Sequence, residues 1–211
     1  MYIPAHFKET TLEVLHALMR EYRFATLISV LDGEPFATHL PILLDADRSE
    51  FGTLVGHMAR ANPHWHAFEP DATPSLVIFQ GPHAYISPSW YAAEQAVPTW
   101  NYTVVHAYGR PTVIEDPLRV RALLDETVET FESRFSQPWS TATQTEDYIS
   151  GMARGIVAFE MLITRLEGKR KLSQNRPVED AHNAAKALQS SGDAVEDALA
   201  RLMLDAAGSR T

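Results

Sequence analysis

The spacing of strand-like runs constrains this chain more than any other feature. Seven such segments follow one another, mostly joined by short turns: Phe24–Leu31, Pro35–Leu44, Phe51–His57, Ser75–Gln80, Ala84–Ser87, Tyr102–Ile114 and Ile156–Leu166. Asp32-Gly33, between the first two, is typical of a two-residue β-hairpin turn. Because few helices separate the strands, neighbours in sequence should pair in the sheet. The sequence therefore predicts a mainly β (α+β) fold with an antiparallel barrel, and argues against a doubly wound sheet.

Helical periodicity occurs in five segments that flank the strands, namely Thr11–Tyr22, Asp116–Glu132, Tyr148–Met152, Val178–Gln189 and Asp193–Ala206. Thr10 and Glu13 predict a capping box at the start of the first. Gly81-Pro82 predicts a break between two strands, and Gly109-Arg110-Pro111 marks a candidate break within Tyr102–Ile114. After Pro177 the composition shifts to Ala, Asp, Glu and Leu. We therefore expect a barrel domain over residues 1–176 and a C-terminal helical extension over 177–211, serving as a dimer contact or as a cover for the barrel.

Composition excludes several classes of protein. The chain has 211 residues and a net charge of −9, which argues against non-specific nucleic-acid binding by the whole surface. No apolar run approaches the roughly 20 residues that span a membrane, and the N-terminus lacks the features of a signal peptide. Cysteine is absent, which excludes disulfides and thiolate chemistry. We expect a cytoplasmic location without membrane association.

The run His57-Met58-Ala59-Arg60-Ala61-Asn62-Pro63-His64-Trp65 follows a predicted strand and opens a short predicted helix. Asn62 is a favourable N-cap residue and Pro63 a favourable first helical residue. The N–H groups at a helix start and the guanidinium of Arg60 both suit an anion. The run therefore predicts a site for a phosphate-bearing ligand. The alternative is an exposed arginine beside a capped surface helix.

Two further stretches carry side chains that suit a heterocyclic, phosphorylated ligand. Trp100 and Tyr102 should share one face of a strand while Asn101 points to the other, so that Trp100 could stack on a ring or Asn101 could bond its polar edge. The alternative is an aromatic pair in the core or in a dimer interface. The segment Lys169–Arg176 holds four of the 18 Lys and Arg residues, beside Gln174 and Asn175. It suits a phosphate, or it is a solvated basic loop.

Histidines are numerous, with nine in the chain, but their spacing does not define a metal site. His64 and His66 would diverge on a helix, and no carboxylate stands at a ligand spacing beside them. No nucleophile elbow, paired-carboxylate motif or helix-turn-helix pattern is present. We predict neither a catalytic residue nor a metal ligand.

Six stretches together resemble the PaiB family, described as FMN-binding negative transcriptional regulators. They are Met1–Phe7, Ala37–Pro41, Gly56–Pro63, Gly81–Pro88, Val97–Tyr102 and Lys171–Pro177, and they span almost the whole chain in order. The resemblance implies an FMN-binding split β-barrel with flanking helices, related to pyridoxamine-phosphate oxidases and flavin reductases. It also implies a homodimer with two FMN sites at the subunit interface.

The same resemblance suggests how FMN would be bound. Arg60 and the Asn62 turn would take the phosphate, and Thr38 and His39 would lie along the isoalloxazine. Trp100 and Asn101 would approach the ring or the ribityl chain, while Lys171, Ser173 and Gln174 would close the site, from the same subunit or from the other. The full set of predicted FMN-binding residues is Thr38, His39, His57, Arg60, Asn62, Thr99, Trp100, Asn101, Lys171, Ser173 and Gln174.

Three functions follow as hypotheses. The first is a flavin-loaded regulator of transcription, although the acidic surface gives little support for direct DNA contact. The second is an FMN-dependent oxidoreductase, in which the flavin itself supplies the redox chemistry. The third, motivated by the histidines, is a haem-binding split barrel.

Overall fold

The computed structural model describes residues 1–69 and 71–209. Its strands are β1 (Lys8–Glu9), β2 (Phe24–Leu31), β3 (Glu34–Asp45), β4 (Thr53–Ala59), β5 (Ser75–Ile86), β6 (Thr99–Val113) and β7 (Ile156–Lys171). Its α-helices are α1 (Leu12–Glu21), α2 (Pro117–Glu132), α3 (Glu146–Ala153), α4 (Val178–Gln189) and α5 (Ala194–Gly208). Single 3-10 turns include Pro63–Ala67, directly after β4. None of the described helices is long and apolar enough to cross a membrane.

The strands form one seven-stranded sheet in the order β1-β7-β4-β3-β2-β5-β6, and β6 also pairs with β7. Registered pairs such as β2–β3 and β4–β7 are antiparallel. Asp32 and Gly33 join β2 to β3 with φ angles of 53° and 83°. Positive φ at both central residues is the requirement of the predicted hairpin turn. The antiparallel split-barrel fold and its flanking helices are therefore confirmed.

The chain divides into two compact units. The terminal unit comprises Met1–Tyr22, Phe79–His106 and the chain from Glu167 onward, and the central unit comprises Arg23–Ile78 and Ala107–Leu166. Strands β5, β6 and β7 each run through both units, because their ranges cross these boundaries.

In the terminal unit, helices α4 and α5 cover one face of the strands. Ala84 and Ile86 of β5 pack with Leu172, and with Leu188 and Met203 of the two helices, in one buried cluster. The residues between them, such as Tyr85, are exposed, as alternation along a strand requires. The opposite face of this part of β5 therefore carries exposed side chains.

In the central unit, helix α2 packs on the strands through Leu123, which shares a buried cluster with Leu43, Val55 and Ala158. Asp116 caps this helix by accepting the N–H of Leu118 at 2.9 Å, and Pro117 is the first helical residue. Both features agree with the predicted start of the helix.

Two predicted strand breaks are wrong. Gly81-Pro82 lies inside the continuous strand β5, and Gly109-Arg110-Pro111 lies inside β6. A Cβ atom on Gly81 would lie 2.0 Å from Thr103 Oγ1, and one on Gly109 would lie 2.2 Å from the Leu162 carbonyl oxygen. These glycines therefore permit a close approach between neighbouring strands, and no turn follows them.

The predicted capping box is also wrong. Helix α1 begins at Leu12, and its N-cap residue, Thr11, makes no side-chain capping bond. Glu9 at the end of β1 accepts the N–H groups of Thr10 and Thr11 at 3.0 and 2.8 Å. The preceding strand, which the sequence did not reveal, thus supplies the acceptor for this part of the backbone.

Candidate functional site

Three polar side chains meet where β3 faces the 3-10 turn after β4. Asn62 caps the turn, because its side-chain oxygen accepts the N–H of His64 at 3.0 Å. The Asn62 Nδ2 donates to Thr38 Oγ1 at 3.1 Å, and His64 Nδ1 lies 2.7 Å from the same hydroxyl. Thr38 and Asn62 are half-buried, so each also borders the surface. The predicted N-cap is confirmed, and the structure brings Thr38 and Asn62 into contact.

The turn itself has five residues in 3-10 conformation. Such a short element has neither the length nor the aligned dipoles of an α-helix. Recognition of an anion here would therefore depend on the side chains of Thr38 and Asn62.

His64 lies behind this pair and is fully buried. Its Nε2 is 2.9 Å from Ser29 Oγ, which is 2.6 Å from Ser75 Oγ on the neighbouring strand. The rings of Phe36 and Phe68 pack against the imidazole, with centroid distances of 5.1 and 5.9 Å. Burial lowers the pKa of His64 to about 4, so the ring is neutral at pH 7. The sequence did not predict this role, because Ser29 and Ser75 lie far from His64 along the chain.

Arg60 binds backbone at the start of β7. Its Nε donates to the Arg154 carbonyl at 2.9 Å and its Nη2 to the Ile156 carbonyl at 2.7 Å. Its own carbonyl accepts the indole N–H of Trp65 at 3.1 Å. Two of the three guanidinium nitrogens, Nε and Nη2, thus fasten the end of β4 to the backbone at the start of β7.

Arg60 also lines a cavity of about 670 Å³, together with Trp65, Arg154 and apolar residues of α2, α3 and β7. Thr38 and Asn62 do not line this cavity. The structure therefore directs Arg60 toward β7, whereas Thr38 and Asn62 bond to each other.

The two remaining predicted residues of the central unit are histidines. His39 is exposed, and its Nδ1 lies 2.9 Å from Thr26 Oγ1 on β2. His57 on β4 is half-buried, and this burial lowers its pKa from the ordinary value. His57 is therefore neutral at pH 7 and suits hydrogen bonding more than charge pairing.

In the terminal unit, Trp100 and Lys171 lie together on the exposed side of β6 and β7. The Trp100 side chain is 53% exposed, and Tyr85 is in edge contact with it at a centroid distance of 6.1 Å. Lys171 Nζ donates to Thr99 Oγ1 and to the Trp100 carbonyl. Desolvation, and then the nearby charge of Lys169, lower the pKa of Lys171. The structure therefore brings Thr99, Trp100 and Lys171 together.

Asn101 points to the other face, as predicted from the strand alternation. It is fully buried, and its Nδ2 donates to Ser173 Oγ at 2.8 Å and contacts Met203 Sδ at 3.4 Å. Within the described residues, its Oδ1 has no hydrogen-bond partner. Asn101 and Ser173 thus link β6 to the turn that follows β7.

This turn is held by its own side chains. Ser173 has a φ of 67°, in the left-handed region that a non-glycine residue seldom occupies. Gln174 spans the turn, because its Oε1 accepts the Leu172 N–H at 2.7 Å and its Nε2 donates to the Arg170 carbonyl at 2.6 Å. Lys171 is therefore positioned by a firmly bonded loop.

Among the described residues, no group of three or more His, Asp or Glu side chains could hold a metal ion. His64 points inward to Thr38 and Ser29, whereas His66 is exposed and packs on Trp65 at a centroid distance of 3.9 Å. These two histidines diverge, as the helical spacing predicted.

Solved structures share this fold. The FAD and heme binding protein from Mycobacterium smegmatis aligns with a TM-score of 0.57 at 20% identity, covering 78% of this chain and 73% of that one. A flavocytochrome from Azotobacter vinelandii aligns with a TM-score of 0.58 at 15% identity, covering 80% and 72%. The fold is that of the flavin-binding split-barrel proteins.

Residues 1–165 match the family described as "Putative FMN-binding domain". Protease synthase and sporulation protein PAI 2 of Bacillus subtilis (strain 168) is 36% identical over 205 residues, which is 97% of each chain. An uncharacterized protein of Emericella nidulans is 28% identical over 212 residues, covering 82% of this chain and 84% of its own. The chain belongs to the PaiB family of FMN-binding proteins, as its motifs predicted, and FMN is its cofactor.

Proposed function

We propose that this protein is a homodimeric, cytoplasmic FMN-binding regulator of transcription that acts with or through its bound flavin. The observation that supports FMN binding is the Thr38–Asn62 pair, a hydroxyl and an amide held at the surface by a buried, neutral histidine. The name of the Bacillus subtilis relative, a protease synthase and sporulation protein, supports a role in controlling protein production.

The donor set fits the chemistry of FMN. The phosphate and the ring carbonyls of FMN are acceptors, which the Asn62 turn, Thr38 and Arg60 can satisfy. The isoalloxazine is flat and largely apolar, and the terminal unit by itself offers the exposed indole of Trp100 as a surface on which such a ring can stack. Lys171 beside Trp100 supplies a cation.

The remaining predicted residues have separate roles in this proposal. His39 and His57 lie in the central unit, as Thr38 does, and in the terminal unit Thr99 holds the Lys171 ammonium. Asn101, Ser173 and Gln174 act by fixing the loop that carries Lys171, since their polar atoms bond to one another or to the backbone.

The exposed face of the terminal unit supports the homodimer. Tyr85 and Trp100 are 45% and 53% exposed, and their rings are in edge contact. An exposed pair of large aromatic side chains is typical of an interaction surface in soluble proteins. We propose that a second copy covers this face and that each FMN lies at the interface between the copies.

The first prediction concerns Trp100. Trp100→Ala should weaken FMN binding by about 1.5 kcal/mol, because it removes the stacking surface for the ring. Titration of the purified protein with FMN, followed by the visible spectrum and by quenching of flavin fluorescence, measures the affinity. Trp139→Ala is the matched control, since Trp139 is also a partly exposed tryptophan, at 43%, but lies in the central unit beside α3. Equal affinities for wild type and Trp100→Ala would remove Trp100 from the site.

Regulation by direct contact with DNA has little support in the basic segment. Lys169 is 8% exposed, Arg170 forms an ion pair with Glu9 at 3.2 Å, and Lys171 is bonded to Thr99. These cations do not form an open surface of the kind that neutralises DNA phosphates. We therefore place the regulatory step in the flavin-loaded protein and expect no gel-shift complex with duplex DNA, even at low salt.

The second prediction tests the regulatory role. Deleting the gene should change transcript levels, the wild-type gene should restore them, and a Thr38→Val variant that binds FMN poorly should not. The protein level of the variant, followed on a blot, controls for its stability. Unchanged transcripts on deletion would contradict the regulatory role while leaving FMN binding intact.

An FMN-dependent oxidoreductase is the second candidate. The flavin itself would carry out the hydride transfer, so the protein need only bind and orient its substrate. Stopped-flow mixing of the FMN-loaded protein with NADH and NADPH tests this activity. Loss of flavin absorbance would favour it, whereas an unreactive flavin would count against it.

A further inference from the structure

A continuous chain of hydrogen bonds runs from the interior of the central unit to Thr38. It passes from Ser75 Oγ to Ser29 Oγ at 2.6 Å, then to His64 Nε2 at 2.9 Å. From His64 Nδ1 it continues to Thr38 Oγ1 at 2.7 Å. Ser75, Ser29 and His64 are 1%, 4% and 0% exposed, whereas Thr38 is half-buried. Thr38 is therefore the one member of the chain that borders the surface.

A neutral imidazole donates from one nitrogen and accepts at the other, so this chain has two possible directions. In the inward direction, Thr38 donates to His64 Nδ1, His64 Nε2–H donates to Ser29, and Ser29 donates to Ser75. In the outward direction, Ser75 donates to Ser29, Ser29 donates to His64 Nε2, and His64 Nδ1–H donates to Thr38. The direction decides whether Thr38 presents a lone pair or a proton to the surface.

Asn62 limits the choice further. Its Nδ2 donates to Thr38 Oγ1 and occupies one of the two lone pairs of that oxygen. In the outward direction, His64 fills the second lone pair, and the hydroxyl proton of Thr38 must point away from both. In the inward direction, that proton is consumed by His64, and a lone pair remains.

We propose that His64 is a positioning residue for the FMN site: its Nδ1–H donates to Thr38 and so turns the Thr38 hydroxyl proton toward the acceptor oxygens of FMN. This inference rests on the proposed binding of FMN beside Thr38. FMN presents acceptors in its phosphate and ring carbonyls, so only a proton on Thr38 forms a favourable bond with them. In this direction every hydroxyl in the chain also donates to the next member, and successive bonds polarise one another.

The low pKa of His64 agrees with this role, because a ring that stays neutral keeps one donor and one acceptor at every pH near 7. The packing of Phe36 and Phe68 against the ring fixes its plane. His64 itself is too deeply buried to touch a ligand, and its effect on FMN is exerted through Thr38.

NMR of protein labelled with ¹⁵N in its histidines tests the inference directly. The two-bond couplings between ring nitrogens and ring protons show which nitrogen carries the proton, and His64→Gln identifies the His64 signals. We expect the Nδ1–H form of His64 in the FMN complex. The Nε2–H form in that complex would overturn the inference, while FMN binding itself would stand. If the wild-type protein bound no FMN, the proposed function would fail instead.

Substitutions on either side of His64 should both weaken FMN binding. Thr38→Val should raise the dissociation constant of FMN by about tenfold, the effect of one lost hydrogen bond. Ser29→Ala should raise it severalfold, although Ser29 is buried and cannot touch FMN, because it leaves His64 Nε2 without its donor. Thr53→Val is the matched control, since Thr53 is 2% exposed on β4 and lies outside the chain of bonds.

The double variant separates a relayed effect from general damage. In a Thr38→Val background, Ser29→Ala should not weaken FMN binding further, because the hydroxyl through which it acts is gone. An equal effect of Ser29→Ala in both backgrounds would overturn the inference. Should Ser29→Ala fail to fold, as judged by circular dichroism, Ser75→Ala takes its place, since Ser75 Oγ lies 2.6 Å from Ser29 Oγ and is its donor in the proposed direction.

Discussion

Gly109→Ala is expected to lower the free energy of unfolding by about 3 kcal/mol, the upper part of the range for an overpacked core. The new methyl group would lie 2.2 Å from the Leu162 carbonyl oxygen and 2.8 Å from Met161 Cγ. The carbonyl belongs to the backbone of β7 and cannot rotate away as a side chain can. Relief of the contact therefore requires β6 and β7 to separate, which breaks the pairing between these strands.

Urea unfolding followed by circular dichroism measures this loss. Gly208→Ala is the matched control, because Gly208 lies in α5 with no atom within 4 Å of a new Cβ. That substitution should leave the stability unchanged or raise it by up to about 1 kcal/mol, owing to the higher helix propensity of alanine. If Gly109→Ala were as stable as Gly208→Ala, the close contact between β6 and β7 would be contradicted.

Gly109 also shows why part of the fold could not be predicted from the sequence. Glycine followed by proline two residues later is a strong local signal for a turn, and only the cross-strand neighbour Leu162 explains why glycine stands there. The hairpin at Asp32-Gly33 was predicted correctly because its cause is local, namely the need for positive φ at both residues. The turn at Asp32-Gly33, which depends on its own two residues, was therefore predictable, whereas the close approach at Gly109, which depends on a distant strand, was not.

The candidate site also contains features that the local sequence predicts and features that depend on distant strands. The N-cap at Asn62 depends on the next two residues and was predicted from them. The buried chain behind Thr38 joins β2, β3, β5 and the turn after β4, so no spacing in the sequence could indicate it. The segment Lys169–Arg176 was recognised as unusual from its charge. That its residues are fixed in a strand and a bonded turn could be learned only from the structure.

Arg60→Ala is expected to weaken FMN binding by about 1.5–3 kcal/mol, the range for a hydrogen bond to a charged group. The same substitution removes the bonds to the Arg154 and Ile156 carbonyls, which join β4 to β7. It should therefore also lower the stability, by about 1 kcal/mol for each bond lost. Fluorescence titration with FMN measures the first effect, and urea unfolding without FMN measures the second.

Two further variants show whether Arg60 binds the phosphate of FMN or only joins β4 to β7. Arg60→Lys keeps the positive charge but cannot reproduce both backbone bonds, because an ammonium lacks the planar fork of a guanidinium. Arg154→Ala removes another arginine from the lining of the same cavity and controls for a general loss of charge. If Arg60 binds the phosphate, Arg60→Lys should retain more FMN affinity than Arg60→Ala, and Arg154→Ala should resemble wild type.

The opposite pattern would have a clear structural meaning. A loss of stability in Arg60→Ala with unchanged FMN affinity would assign Arg60 wholly to the junction between β4 and β7. Recognition of the phosphate would then depend on Thr38 and Asn62, whose bonds to each other are independent of the Arg60 guanidinium. Such a result would make Thr38→Val the more severe test of FMN binding. This substitution removes the hydroxyl that would contact FMN, and with it the group through which His64 acts.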